Sequence, residues 1–362
     1  MKILHMTSDL DGGGVDSVLY NYCSRMLPQI KCDFIVSSTR EGILEEPLRS
    51  MGSKVFHVAR IRGAFVRRQR QLKEILAHGN YDAVHDHSGY KGYFFLDLAR
   101  RMGVNCRIAH SHIALIPETA MGGVERALIT PLTMSAANHL FACGIDAAKW
   151  MWGEKAVTEK RVTIMPNGID TKKFKYSSVE RQRLRNQMGL EGKFVIGNVA
   201  RLSEQKNHEF LLKVFARVLS RNPDSVLMII GRGDLEDKLK ELAIAMGLGE
   251  SVRFLGIRDD VHSLLNSMDV FVLPSKYEGL PVTLVEAQAN GLPIVVSDAV
   301  TKEIRIAHNY EIMPLLSGID DWVDRILSLN GSRSQDVESV VKKYDINVLA
   351  QRQLEWYLAH EK

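Results

Sequence analysis

Cysteine is scarce in this chain: four among 362 residues, at Cys23, Cys32, Cys106 and Cys143, with no CxxC pair. That usage argues against a disulfide framework and against a structural metal, and it fits a reduced cytoplasmic protein. Long apolar runs are missing too. No stretch approaches the ~20 residues of a membrane span. Lys2 leads straight into ILHMTS, with no leader-like segment ahead of it. Repeats and low-complexity tracts are absent. Neither charge sign dominates, since 47 basic residues face 43 acidic ones and the net charge is +4. So mild a balance favours anionic small molecules or an anionic surface.

What is present is an alternation. Short Val/Ile/Leu-rich strands such as 2-KILHMTS-8, 32-CDFIVSS-38, 82-DAVHDH-87 and 105-NCRIAHSH-112 are separated by helices of about ten residues. Further on, 131-PLTMSA-136 reads as a strand, 137–143 as a helix and 161-RVTIMP-166 as a strand. The turn cluster 166-PNGIDTKKF-174 marks a linker. The layout then repeats with strands at 194–200, 225–231, 251–256, 269–274 and 293–298. Nearly continuous apolar strands fit parallel sheets covered on both faces. The expected fold class is α/β, with two doubly wound parallel-sheet domains at 1–167 and 168–340. A terminal helical segment, 341–362, either packs back across the domain junction or caps the second domain.

The densest signal is 274-PSKYEGLPVTLVEAQANG-291. Glu278 sits among residues that break regular structure, and Glu286 lies on a helical run between two strands. Both carboxylates fall near the C-terminal edge of a parallel sheet, where open α/β sheets bind ligands. After an earlier strand, 201-RLSEQKNHEF-210 brings Arg201 and Lys206 to a helix start. Two cations with exposed helix N–H groups suit a diphosphate. Carboxylates that accept hydroxyl hydrogen bonds suit ribose or hexose. The set describes a nucleotide-sugar pocket better than a nucleic-acid surface. In the first half, Gly12, Gly13 and Gly14 follow the first strand. They permit close backbone approach to a ligand. A GxGxxG loop would need glycine at 17, where Ser17 stands, which counts against a dinucleotide.

Two histidine pairs, His85/His87 and His110/His112, have strand spacing that puts each pair on one face. A metal-dependent hydrolase built on these four is one alternative. A basic anion- or nucleic-acid-binding module is another. A basic helix is expected over about 64–78, and the run 60-RIRGAFVRRQRQLK-73 across its start forms a basic amphipathic patch able to rest on anionic lipid. No aromatic stacking platform accompanies it, so nucleic acid is not expected as a partner.

Together these motifs resemble the retaining glycosyltransferases of family 4, which have the GT-B fold. The likeness rests on 274-PSKYEGLPVTLVEAQANGLPIVVSD-298 with its E-x7-E signature, on 166-PNGID-170 and on 201-RLSEQKN-207. The segment 107-RIAHSH-112 makes the chain most similar to bacterial exopolysaccharide and capsule transferases. The resemblance implies two Rossmann-like domains facing across a cleft, the first for the acceptor and the second for the donor. It implies that Arg201 and Lys206 hold the donor diphosphate, that Glu278 contacts the donor sugar and that Glu286 binds the ribose. Backbone N–H groups near Gly279 and Leu280 support sugar and phosphate. Gly13 and Gly14 face the donor phosphate from the first domain. The family histidine corresponds to His112, with His110 as the alternative. A UDP-sugar donor, no obligate cofactor or metal, and a saccharide or polyprenyl-linked acceptor follow. So does a cytoplasmic place, peripheral to the inner face of the plasma membrane. The implied chemistry is front-face attack guided by the leaving phosphate; retention also admits a carboxylate nucleophile. The chain departs from many relatives at Asp16, Ser17 and Ile113, all on the acceptor side.

Overall fold

Thirteen strands form in a computed structural model that describes residues 1–60, 63–112, 120–329, 332–334 and 337–361. The chain divides into two compact units, Met1–Ile169 with Asp345–Lys362, and Asp170–Tyr344. The terminal helix Ile346–Ala359 therefore belongs to the first unit.

In the first unit the strands are β1 (Lys2–Thr7), β2 (Lys31–Val36), β3 (Val55–His57), β4 (Ala83–Asp86), β5 (Cys106–Ser111), β6 (His139–Ala142) and β7 (Val162–Ile164). They pair in parallel in the order β3-β2-β1-β4-β5-β6-β7. The apolar runs explain the arrangement. Ile3, Leu4, Phe34, Ile35, Val84 and Ile108 are fully buried, as strands covered on both faces require. One face is different, because the pleat sends His5 and His85 to the same side as cross-strand partners. The helices Gly14–Met26 and Ile346–Ala359 pack against each other.

The second unit holds β8 (Phe194–Val199), β9 (Ser225–Ile230), β10 (Val252–Phe254), β11 (Val270–Leu273), β12 (Ile294–Ser297) and β13 (Tyr310–Met313). Their order is β10-β9-β8-β11-β12-β13, again parallel. Ile196, Leu227, Val270, Phe215 and Trp322 share its core. Both sheets reverse strand order beside their first strand, as in doubly wound folds.

Three expectations are corrected. Residues 131–136 end the helix Ala120–Ala136, with Pro131 inside it, and strand β6 falls within the segment expected to be helical. A four-residue apolar run such as HLFA carries no periodicity to separate a strand from a buried helix. The basic helix itself runs Phe65–Gly79, close to the 64–78 expected; Arg60 precedes it, and Arg62 lies outside the described residues. Arg68 turns inward and donates to Ser37 Oγ at 2.8 Å and to the Ala59 carbonyl at 2.9 Å, which removes it from the exposed cationic face. The helix Ser178–Gln187 and strand β13 have no counterpart among the elements expected from the sequence. That helix is almost wholly polar, and Arg181 and Arg185 pin it to buried Asp269 at 2.5 and 3.2 Å.

Candidate functional site

β8 and β11 are neighbours in the second sheet, although the chain between them crosses to β9 and β10. Their C-terminal ends are where ligands enter this class of sheet. Arg201 follows β8. Its guanidinium is 70% exposed and lies 3.7 Å from Asp234, a surface pair worth ~0–1 kcal/mol that is readily exchanged for a ligand. The 231-GRGD-234 turn seats it there. A side chain at Gly231 would meet the Ala200 carbonyl oxygen at 2.1 Å, and one at Gly233 would meet that of Leu202 at 2.2 Å. Glycine is required for this close approach.

The next loop is clipped to the segment after β11. Asn207 Nδ2 donates to the Pro274 carbonyl at 3.1 Å, the Lys276 N–H to the Gln205 carbonyl at 2.8 Å, and Gln205 Nε2 to the Tyr277 carbonyl at 3.0 Å. Asn207 reaches this pose in the left-handed region, with φ 57°. His208 sits fully buried with Nε2 3.0 Å from Asn198 Oδ1, and burial lowers it to about 4. These clips bring Lys206 Nζ to 2.5 Å from Glu278 Oε1, which also accepts from Ser275 Oγ at 2.6 Å. Glu278 Oε2 has only a long contact with Gln205 Nε2, 3.4 Å. The ammonium has three donors, so one holds Glu278 and two can serve a phosphate. Glu278 Oε2 can accept from hydroxyls.

Glu286 stands apart from that network, on the helix Val282–Ala289. The residue is half-buried, yet its carboxyl is shielded enough that burial pushes it up to about 7, with the Lys173 cation acting in the opposite direction. Gly279 and Leu280 precede that helix, beyond its Pro281 cap. Arg201, Lys206, Glu278 and Glu286, the charged residues expected from the sequence, thus lie on the segments after β8 and β11. Ser275, Gln205, Asn207 and His208, which hold these segments and Glu278 in place, carried no signal in the sequence beyond membership in the two motif segments.

In the first unit, Gly12 has φ +83° and Gly13 caps the helix Gly14–Met26. The Gly13 N–H donates to Asp16 Oδ2 at 3.0 Å, so it is already satisfied within the loop. Burial, with Asp9 alongside, pushes the Asp16 carboxyl up to about 8. His85, His87, His110 and His112 do come together and are joined by His5. His87 Nδ1 lies 2.8 Å from His112 Nε2, and His85 Nε2 lies 3.1 Å from His110 Nδ1. Burial drives His85, His87 and His110 well below the usual histidine range and His112 down to about 4. Asp86 points to the other face and accepts the Ser88 N–H at 3.0 Å. Ile113 and the rest of 113–119 lie outside the described residues.

Residues 12–173 match the family described as Glycosyltransferase Family 4, and residues 180–327 match Glycosyl transferases group 1. The putative glycosyltransferase EpsF of Bacillus subtilis (strain 168) is 34% identical over 312 residues, 84% of this chain and 80% of that protein. The UDP-Gal:alpha-D-GlcNAc-diphosphoundecaprenol alpha-1,3-galactosyltransferase of Escherichia coli is 28% identical over 275 residues, 74% of this chain and 71% of that protein. Among solved structures, Anabaena Alr3699/HepE in complex with UDP-glucose superposes with a TM-score of 0.83 at 19% identity and covers 99% of each chain. That last likeness concerns the fold. These relatives are transferases and lend no support to the hydrolase or nucleic-acid alternatives.

Proposed function

The chain belongs to glycosyltransferase family 4 and has the GT-B fold, and from that premise we propose that it transfers a hexosyl unit from a UDP-sugar to an acceptor hydroxyl with retention. The observation that carries the donor half is the Lys206–Glu278 pair, held by the clips between the loops after β8 and β11. Lys206 and Arg201 bind the diphosphate and stabilise charge growing on the leaving phosphate. Glu278 orients the sugar through its hydroxyls, and Glu286 accepts from the ribose. Backbone N–H groups at Gly279 and Leu280 support the sugar and phosphate, with Gly13 and Gly14 on the acceptor side. His112 acts at the acceptor. UDP is favoured because HepE is solved with UDP-glucose and the E. coli relative uses UDP-Gal.

Melting curves test this reading. UDP at a hundredfold excess over its Kd stabilises the binding state by about 2.7 kcal/mol. Arg201→Ala is expected to weaken UDP about 10- to 100-fold, the loss of one charge-assisted contact. If no nucleoside diphosphate or its sugars moved the melting temperature, the reading would fall. A hydrolysis screen across UDP-sugars then names the donor.

For the acceptor we propose a lipid-linked or growing saccharide, the class printed for the E. coli relative. Among the described residues no helix is long and apolar enough to cross a membrane. The first unit offers a surface instead. Phe65 and Phe94 touch edge to face at 5.0 Å while 41% and 39% exposed, and Val66 is 73% exposed beside Arg67, Arg70 and Lys73. Apolar tips beside cations suit the anionic inner face of the plasma membrane, with the protein in the cytoplasm. Each basic residue adds about 1 kcal/mol of attraction. Arg67→Glu with Arg70→Glu and Lys73→Glu should therefore cut co-sedimentation with anionic vesicles by at least 100-fold and leave neutral vesicles unchanged. Equal binding by wild type to both vesicle types would exclude this surface.

A further inference from the structure

Four buried imidazoles and the half-buried His87, on one sheet face, are arranged in two hydrogen-bonded files. In the first, Cys23 Sγ lies 3.7 Å from His5 Nε2, His5 Nδ1 lies 3.1 Å from His87 Nε2, and His87 Nδ1 lies 2.8 Å from His112 Nε2. In the second, Gln353 Nε2 donates to Tyr357 Oη at 3.1 Å. Tyr357 Oη lies 2.5 Å from His85 Nδ1, and His85 Nε2 lies 3.1 Å from His110 Nδ1. His110 Nε2 is buried and meets no protein partner among the described residues. It borders a small cavity with His5, His87, His112, Tyr22 and Gln353.

With the Gln353 amide set as the donor to Tyr357 Oη, the second file takes one polarity. A neutral imidazole carries one N–H and one lone pair, and a phenol has one hydrogen. The Gln353 amide then donates to the phenol oxygen, and the buried Tyr357 hydrogen finds its acceptor in His85 Nδ1. His85 then carries its hydrogen on Nε2 and donates to His110 Nδ1. His110 is left with its hydrogen on Nε2. The rings of this file are neutral at pH 7, because burial lowers both His85 and His110. Zinc is a poorer fit. Zn–N bonds of about 2.0–2.1 Å put tetrahedral ligand nitrogens about 3.3 Å apart. The ring contacts here are 2.8–3.1 Å, the length of hydrogen bonds.

We propose that Tyr357, acting through His85, is a positioning residue that holds His110 as the Nε2–H tautomer, a fixed donor for an acceptor-side oxygen. This rests on the acceptor chemistry lying with the first unit. It divides the labour of the histidine pair: His110 donates, while His112 belongs to the other file. It also gives the terminal helix a role in the chemistry, from a residue 272 positions beyond His85.

Nitrogen-15 NMR of histidine-labelled full-length protein reads the tautomers directly, with His110→Ala assigning the signal. Wild type should show His110 protonated at Nε2. Tyr357→Phe and, separately, Gln353→Met should convert it to a mixture with Nδ1–H. Turnover of the UDP-sugar named by the screen should lose about tenfold in kcat, the loss of one neutral hydrogen bond, with the donor KM unchanged. The UDP melting shift reports that each variant is folded. A merely structural Tyr357 would lower the melting temperature and leave the tautomer alone. An Nδ1–H tautomer in wild type, an unmoved tautomer in both folded variants, or stoichiometric zinc on the purified protein would overturn the proposal. The tautomer measurement needs no activity, so its failure is distinct from a failure of the transferase reading, which UDP binding tests.

Discussion

Lys206→Ala is expected to lower kcat by about 10²–10³, the effect of removing one preorganised contact to charge that develops in the transition state. The same change should destabilise the fold. Lys206 and Glu278 are a largely buried pair, with side chains 16% and 5% exposed. Removing one partner leaves an uncompensated carboxylate, which costs about 3–5 kcal/mol. Loss of activity alone would therefore not separate catalysis from folding. The double variant Lys206→Met with Glu278→Gln makes the separation, because it removes both charges and keeps comparable volume. It should regain most of the melting temperature and none of the turnover. Retention of more than about a tenth of kcat in folded Lys206→Ala would remove the lysine from the phosphate. An unchanged melting temperature in Lys206→Ala would remove the buried pair.

Glu286→Gln should weaken UDP binding and at the same time stabilise the ligand-free protein above pH 7. The sign follows from burial. A carboxyl held at about 7 in the fold titrates at its ordinary 4.5 in the unfolded chain. Its contribution to stability is full below 4.5 and is lost as pH rises through about 7. The cost at pH 8 is at most about 3 kcal/mol, reduced by the residue's partial exposure. Glutamine carries no charge and removes that slope. Ribose recognition runs the other way, since the ionised carboxylate is the better acceptor. UDP affinity of the wild type should therefore rise with pH up to about 7 and level off, by as much as tenfold per unit below it. Affinity of Glu286→Gln should be lower and flat. Calorimetry at pH 6, 7 and 8 with melting curves on the same samples checks both. A wild-type affinity independent of pH, with no gain in melting temperature at pH 8, would assign Glu286 to structure.

The two signature glutamates proved unlike each other. At sequence level they form one motif, eight positions apart on either side of a helix start. In the fold, Glu278 is a partner of Lys206, while Glu286 is a shielded carboxyl answering to Lys173. Likewise, the basic run reads as one cationic face, but the helix phase sends Arg68 inward to Ser37 and the Ala59 carbonyl. Strand β13 and the polar helix Ser178–Gln187 left little trace, because one is four residues long and the other is held by ion pairs to Asp269. Periodicity arguments work where burial is repeated along a segment, and neither segment has such a stripe.

Local patterning by itself determined the two parallel sheets, the loops at their C-terminal edges and the charged residues those loops carry. Apolar strands and turn residues act over a few positions, so a single chain displays them openly. Tertiary structure alone decided which of those residues meet. It clipped the loop after β8 to the segment after β11, and it joined His85 to Tyr357 across 272 residues. It also decided the protonation of Glu286 and of the histidines, because burial depends on what the rest of the chain packs above each group.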